Sequence, residues 1–410
     1  MGNKTILATC YAVNPYKGSE DGMGWNFVLQ IARFNNVIAI TRKNNQIHID
    51  RFMKENPNEV YKNIKFLYFD LPYWMRFWKK GSFASLIYFN LWQKNIISFI
   101  KKQKITFDIV HNINFHNDWT PSFLHQLNKP FVWGPIGHHS KIPKQYLEKY
   151  SIKYSVKENF TWGIKKIFWN YSSALHATIK NADHILCMNQ NVKNVLPLKD
   201  KNYSIMPSVA TEDFFKNTND NKEDFNAISV GRFIPLKGFD LTILSFVEFI
   251  NSLPLEERAK CKLTLVGTGP EKNKYINLIQ ENKAENNIEI IEWMDRIALM
   301  NLYNKASVFL FPSHEGAGMV VAEALSFGLP VICLDNDGPG EFINSGCGFA
   351  IQKTNYTATI SKLHEALNKL YSNEDVLKDM SEKARIHYEN TFTWNSKGNQ
   401  LNDIYNQLQL

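Results

Sequence analysis

The stretch "SVFLFPSHEGAGMVVAEALSFGLPVICL", residues 307–334, decides the fold. It opens on an unbroken apolar run, passes a polar, glycine-bearing turn, takes up helical spacing from Met319, and closes on a second apolar run after Gly328. A short continuous run of β-branched and aromatic residues is a strand covered on both faces, as in a parallel sheet. Strand, helix, strand in that order is a βαβ unit, whose crossover makes the two strands parallel neighbours.

The same alternation extends in both directions. Strands are expected at "TILATC", "NVIAIT", "IKFLYFD", "FDIVHNI", "PFVWGP" and "DHILCMN", then at "NAISVG", "KLTLVG", "IEIIEW", "SVFLF", "PVICL" and "GFAI". Helices follow most of them, notably Met23 to Phe34 and Phe83 to Lys102, and an amphipathic helix forms the tail from Thr391. The chain is therefore α/β, with two Rossmann-like halves in tandem. The polar stretch 205–226 marks the boundary, giving a first domain 1–204, completed by 391–410, and a second domain 205–390. Ligands of such sheets bind beyond the carboxyl ends of the strands, so two facing halves imply a central cleft.

Glu315 and Glu323 bracket the turn and the helix start with seven residues between them. Gly316, Ala317 and Gly318 let a ligand approach bare backbone amides. The unpaired N–H groups and dipole of a helix N-terminus favour an anion such as phosphate. Glu323 lies about 7 Å further along the helix, from its distance past Gly318. A carboxylate accepts well from vicinal hydroxyls. A diphosphate at the helix tip, with a ribose on one side and a hexose on the other, satisfies both acids. Spacing alone also fits a cap and a surface glutamate. The stretch "AISVGRFIPLKGFD" tips the balance, because Arg232 follows a strand and Lys237 opens the next helix. Two fixed cations there would hold a diphosphate and absorb its charge as it leaves.

With these residues in place, "GRFIPLKG", "LVGTGP" and "EGAGMVVAEALSFGLPVICLD" resemble, in order and spacing, the GT-B glycosyltransferases of family 4. "NPYKGSEDGMGW" and "FVWGPIGHH" look like a bacterial subset that assembles surface polysaccharides and glycolipids. The resemblance implies a GT-B fold, a C-terminal helix crossing back to the first domain, and retaining hexose transfer from a nucleotide diphosphate sugar. It implies no obligatory metal, and no cofactor beyond the nucleotide-sugar co-substrate is expected; the sequence does not choose between UDP and GDP donors, and a UDP-sugar is the preferred expectation. It places Arg232 and Lys237 on the diphosphate, Glu315 on the donor-sugar hydroxyls and Glu323 on the ribose. The amides of Gly318, Met319 and Val320 meet the phosphates, and Trp293, Met294 and Arg296 flank the base. In the first half, Gly18 is expected to approach the donor, one of His111 and His116 to approach the reacting carbon, with His111 preferred over a purely structural histidine, and Gly22, His116, Gly137 and His138 to line the acceptor cleft. Arg232, Lys237, Glu315 and His111 form the expected catalytic set. That bacterial subset usually carries glycine where His138 and His139 stand, which bears on the acceptor contacts.

Two further patterns carry no chemistry in this reading. "DND", residues 335–337, matches an Asp-x-Asp metal pattern but is expected to be a loop before "GPGE". "VGTGPEKNK" lacks the third glycine of a dinucleotide fingerprint and is expected to be a turn.

The 410 residues are 44% hydrophobic and 21% charged, an ordinary globular composition. The N-terminus "MGNKTILATCY" does not read as a secretory signal. Five scattered cysteines with no paired spacing point to buried thiols and a reducing cytoplasm. Formal net charge is +8, and from Leu71 to Phe107 there is no acid but seven cations interleaved with aromatics. That mixture suits either an anionic membrane surface, on the inner face of the cell membrane, or a solvated face over an aromatic core. No recognition motif for nucleic acid accompanies it. A glycan or lipid-linked acceptor is the implied partner. The rival functions are a nucleotide-sugar epimerase on the same fold and a catalytically silent membrane-surface scaffold.

Overall fold

The structure, a computed structural model, describes residues 3–115, 117–215 and 224–408. The chain divides into two units, the first comprising 1–138, 161–208 and 394–410, the second 139–160 and 209–393. The first boundary thus falls four residues beyond the expected one, and segment 139–160 packs with the second unit although it precedes the linker in sequence.

The first unit is built on seven strands: β1 (Thr5–Thr9), β2 (Asn36–Thr41), β3 (Ile64–Tyr68), β4 (Ile109–Asn112), β5 (Phe131–Ile136), β6 (His184–Cys187) and β7 (Tyr203–Ile205). They pair in parallel in the order β3-β2-β1-β4-β5-β6-β7. Alternation along each strand feeds two cores, one on each face. In β1, Leu7 joins Trp92 and Trp133 on one face, whereas Ile6 and Ala8 join Phe27 and Ile31 on the other. The order reverses direction between β1 and β4, so the loops after those two strands diverge and leave room for a ligand.

The helix Gly81–Gln103 buries Tyr88, Phe89, Trp92 and Ile96 in the core. Most of the expected basic-aromatic surface is thus a core-facing helix. The rings that reach solvent sit just before it, with Tyr73 73%, Trp74 69% and Phe77 58% exposed. The C-terminal helix Trp394–Gln407 returns to this unit as expected. It sets Trp394 edge-on to Phe27 at 5.8 Å and buries Leu401, Ile404 and Tyr405.

The second unit carries β8 (Phe225–Val230), β9 (Cys261–Val266), β10 (Ile288–Ile291), β11 (Val308–Phe311), β12 (Val331–Leu334) and β13 (Gly348–Ile351), in the parallel order β10-β9-β8-β11-β12-β13. Val308 and Leu310 point into one core and Phe309 and Phe311 into the other, the period-two signature of the opening stretch. Here the order reverses between β8 and β11. All twelve strands expected from the apolar runs are present within a residue or two; the three-residue edge strand β7 and the helix Ile152–Tyr171 were not among those expectations.

Candidate functional site

Because β8 and β11 are neighbours, the loops that leave their carboxyl ends must run side by side. The His314 N–H donates to the Leu236 carbonyl at 2.8 Å, and the Ser313 hydroxyl donates to the same oxygen at 3.2 Å. Gly238 takes a left-handed conformation (φ +67°), and a Cβ there would stand 2.2 Å from the Pro312 carbonyl oxygen. Only glycine satisfies both demands. The registered loops bring Lys237 Nζ to 2.7 and 2.6 Å from the two carboxylate oxygens of Glu315. Both side chains are mostly buried. Burial pushes the Glu315 carboxyl up from its ordinary pKa, while Lys237 and then Arg232 pull it back. Arg232 itself is exposed, one residue past Gly231.

After Glu315 the chain turns into the helix Met319–Ser326, and no side chain caps its Gly318 end. The first-turn N–H groups have no acceptor within the helix and point back along its axis. One turn in, Glu323 is 5% exposed and accepts from the Arg296 guanidinium at 3.0 Å. Arg296 also lies over the Phe214 ring at 5.0 Å and donates to the Thr211 hydroxyl at 3.5 Å. Burial raises the Glu323 pKa, with Arg296 and then Tyr303 opposing. Trp293, 80% exposed, and the half-buried Met294 precede Arg296 at the carboxyl end of β10.

A third loop supports the turn from beneath. A Cβ on Gly338 would lie 2.5 Å from the Glu315 carbonyl oxygen and 2.6 Å from the Ala317 nitrogen. Asn336 donates to the Ser313 carbonyl and accepts from the Gly338 and Gly340 amides, while Asp337 accepts from the backbone and hydroxyl of Ser140. The "DND" run is thus bound up in loop hydrogen bonds. Among the described residues no group of three or more His, Cys, Asp or Glu side chains is placed to hold a metal.

The second unit therefore places Arg232, Lys237, Glu315, Gly318, Met319, Val320 and Glu323 at and beyond the adjoining ends of β8 and β11, and Arg296 links to Glu323 from the end of β10, beyond β9, where Trp293 and Met294 also lie. The first-unit candidates fare differently. His111 is fully buried, with Nδ1 2.6 Å from the Tyr405 hydroxyl and Nε2 2.7 Å from the Gly134 carbonyl oxygen. Burial drives its pKa down to about 4. Both ring nitrogens are engaged inside the core, so the expected catalytic role is corrected to a structural one. Gly22 is likewise buried, and a Cβ there would meet the Lys17 carbonyl oxygen at 2.3 Å; backbone packing, not an acceptor, demands this glycine. Gly18 is exposed at the start of the helix Ser19–Ala32. Gly137 backs onto Met188, whose sulfur would be 2.8 Å from an added Cβ. His138 is buried and places Nδ1 2.7 Å from the Asp118 carboxylate. His116 lies outside the described residues.

Sequence reasoning missed Ser313, Thr211, Tyr303, Asn336 and Gly338. The signal for two of them was available: Ser313 stands at the strand end beside Glu315, and Gly338 belongs to a "GPG" run that a close backbone approach explains.

Residues 210–387 match the family described as glycosyl transferases group 1. An uncharacterized glycosyltransferase of Methanocaldococcus jannaschii is 28% identical over 238 residues, covering 56% of this chain and 60% of that protein. The chain thus spans about three fifths of that relative's length. Among solved structures, a glycosyltransferase from Rickettsia africae superposes with a TM-score of 0.64 at 18% identity, covering 99% of each chain. Anabaena HepE, crystallised with UDP and glucose, superposes with a TM-score of 0.63 at 12% identity, covering 99% of this chain and 100% of that one. The chain has the GT-B fold, and residues 210–387 of its second unit match the group 1 glycosyltransferase family.

Proposed function

We propose that this protein is a retaining hexosyltransferase that moves a sugar from a nucleotide diphosphate sugar to a glycan or lipid-linked acceptor, in surface polysaccharide or glycolipid synthesis. The observation that carries this reading is the Lys237–Glu315 pair, held between adjoining strand ends beside a helix start that no side chain caps. A cation and helix amides are what a leaving diphosphate requires, and a neighbouring carboxylate is what sugar hydroxyls require. In this reading Lys237, Arg232 and the amides of Gly318, Met319 and Val320 bind the diphosphate. Glu315 orients the hexose, Glu323 accepts from the ribose, and Trp293, Met294 and Arg296 flank the base.

The bond from the anomeric carbon to the diphosphate oxygen breaks, and the acceptor hydroxyl oxygen bonds to the same face. Its proton passes to a diphosphate oxygen. Rate enhancement comes from positioning and charge stabilisation, with no protein nucleophile and no metal. The UDP and glucose in Anabaena HepE support a UDP-sugar. Peripheral placement on an anionic cytoplasmic surface has its support in Tyr73, Trp74 and Phe77, exposed beside Arg76 and Lys80.

A thermal-shift screen of UDP, GDP and their sugars, followed by product analysis with candidate acceptors, tests the reading. A UDP-sugar should raise the unfolding midpoint, and the Lys237→Ala variant should lose roughly 10²–10³-fold in turnover while folding normally. Full turnover in that variant, or a free epimerised sugar as product, would overturn the assignment.

A further inference from the structure

Three neighbouring strands of the first sheet end on a cluster of charge that the proposed donor chemistry does not use. Tyr11 follows β1 by two residues, Arg42 directly follows β2, and Asp70 follows β3 by two residues. The Tyr11 ring is buried against Phe89, Trp92 and Phe115, which makes it a fixed floor. Two cations lie over it. The Arg42 guanidinium carbon is 4.3 Å from the ring centroid, and its Nε donates to the Tyr11 carbonyl at 2.9 Å. The Lys79 ammonium is 5.1 Å from the same centroid and 4.6 Å from that of Tyr88. Asn45 donates to the Thr41 hydroxyl and to the Tyr11 carbonyl, which pins the turn carrying Arg42.

The cluster's acid, Asp70, is already engaged. It accepts from the Tyr88 hydroxyl at 2.6 Å and from the Lys43 amide at 3.0 Å, and Arg76 stands 3.7 Å away. Lys79 is half-buried, and among the described residues its ammonium has no oxygen within hydrogen-bonding distance. Burial and then Arg42 lower its pKa to about 8, with Asp70 opposing and Arg76 adding. Only Nε of Arg42 is bonded, so its two terminal nitrogens remain for a ligand. The Tyr11 hydroxyl is buried without a hydrogen-bond partner. Burial pushes its pKa up to about 12, the Arg42 charge opposing and the Asp70 charge adding, so the hydroxyl lies in the field of both.

A half-buried ammonium and a buried hydroxyl ordinarily find partners. Three cations, Arg42, Lys79 and Arg76, against the one carboxylate of Asp70 leave two positive charges in excess. A phosphate monoester carries close to two negative charges at neutral pH, a carboxylate only one. The guanidinium nitrogens, the ammonium and the phenol can all donate, and phosphoryl oxygens accept. The position fits as well, beyond the carboxyl ends of parallel strands.

We infer that Arg42, Lys79 and the Tyr11 hydroxyl bind a phosphoryl dianion carried by the acceptor. The identity of the carrier rests on the proposed transfer; the anion site itself stands without it. The carrier is either a phosphorylated sugar or polyol, or a lipid phosphate, and two soluble probes tell these apart.

Glycerol 3-phosphate, geranyl phosphate and, as neutral control, glycerol are to be titrated calorimetrically into the full chain, with and without saturating UDP. Equal affinity for the two esters indicates a polar carrier, and tighter binding of geranyl phosphate a lipid one. In both cases Arg42→Gln and Lys79→Met should each weaken ester binding on the order of tenfold, and Tyr11→Phe should weaken it less. The UDP-induced thermal shift should stay as in the parent. At pH 8 the parent should take up about half a proton on binding, since Lys79 is then half deprotonated and the anion restores its charge. Titrations in two buffers of different ionisation enthalpy measure that uptake, which Lys79→Met should abolish. Without ester, Lys79→Met should melt above the parent at pH 7, because it removes a half-buried charge that no oxygen compensates. Its loss of ester binding is thereby separated from loss of the fold. Ester binding no tighter than that of glycerol, or binding that all three variants retain, would overturn the inference. Ester binding without any response to UDP would uphold this site and count against the donor reading alone.

Discussion

Glu323 and Arg296 show how a buried carboxylate at a proposed binding site costs the fold that holds it. Glu323 is almost fully enclosed, and burial raises its pKa despite Arg296. A carboxyl whose folded pKa exceeds its unfolded value adds stability below the unfolded pKa, and that stability is lost as pH rises through the folded pKa. At neutral pH the ionised group is therefore a liability, and the half-exposed Arg296 can return to water without it. Glu323→Gln should raise the unfolding midpoint at pH 7 by on the order of 2–4 °C while weakening donor binding about tenfold. The gain should vanish in acid, where the parent residue is protonated too. Calorimetry across pH together with donor titration checks both halves. His111 behaves in the opposite way. His111→Asn should lower stability by about 1–3 kcal/mol, through lost bonds to Tyr405 and Gly134, yet leave turnover of the folded protein unchanged. Denaturant titration and active-site-normalised rates separate the two. The chemistry of His111 was legible in the sequence but its role was not, because Tyr405 lies 294 residues away. By contrast the Lys237–Glu315 pair was legible, since each stands a fixed few residues past a recognisable apolar run.

At the scale of the element, the strands were readable because a strand covered on both faces needs an unbroken apolar run. β7 escaped for being only three residues long, and the helix Ile152–Tyr171 because its apolar residues sit on both faces and blur the helical period. The C-terminal helix was readable as amphipathic, yet it hides a lysine on its buried side. Lys397 is 1% exposed, and burial lowers its pKa to about 7. The unfolded lysine keeps its proton to near its ordinary value, so between about pH 7 and 10 the unfolded state binds more protons. Stability should then rise with pH across that window. Lys397→Met should unfold at a higher temperature than the parent at pH 7, and the difference should shrink steadily toward pH 10. Parallel melts at several pH values measure it, and a constant difference would contradict the assignment.

For the whole molecule, two sheets with the same reversal of strand order put two loop clusters at strand ends, and the second holds the Lys237–Glu315 pair beside the uncapped start of the helix Met319–Ser326. The family match covers that same unit. A nucleotide should therefore slow amide exchange in loops 231–238 and 313–321 well before it affects the strands of the first sheet, which hydrogen exchange with and without UDP resolves. Equal protection everywhere would place the ligand elsewhere.

In the structure Lys237 and Glu315 neutralise each other. On the proposed reading, an incoming donor must part them, offering its anion to one and its hydroxyls to the other. A fragment bearing only phosphate separates the couple at a loss, so inorganic phosphate and bare nucleotide compete weakly with the intact sugar conjugate. On the same reading, once the sugar has gone to its acceptor, the glutamate would be left idle and recapture the ammonium. The spent nucleotide would thereby be nudged out, and turnover would reset the latch.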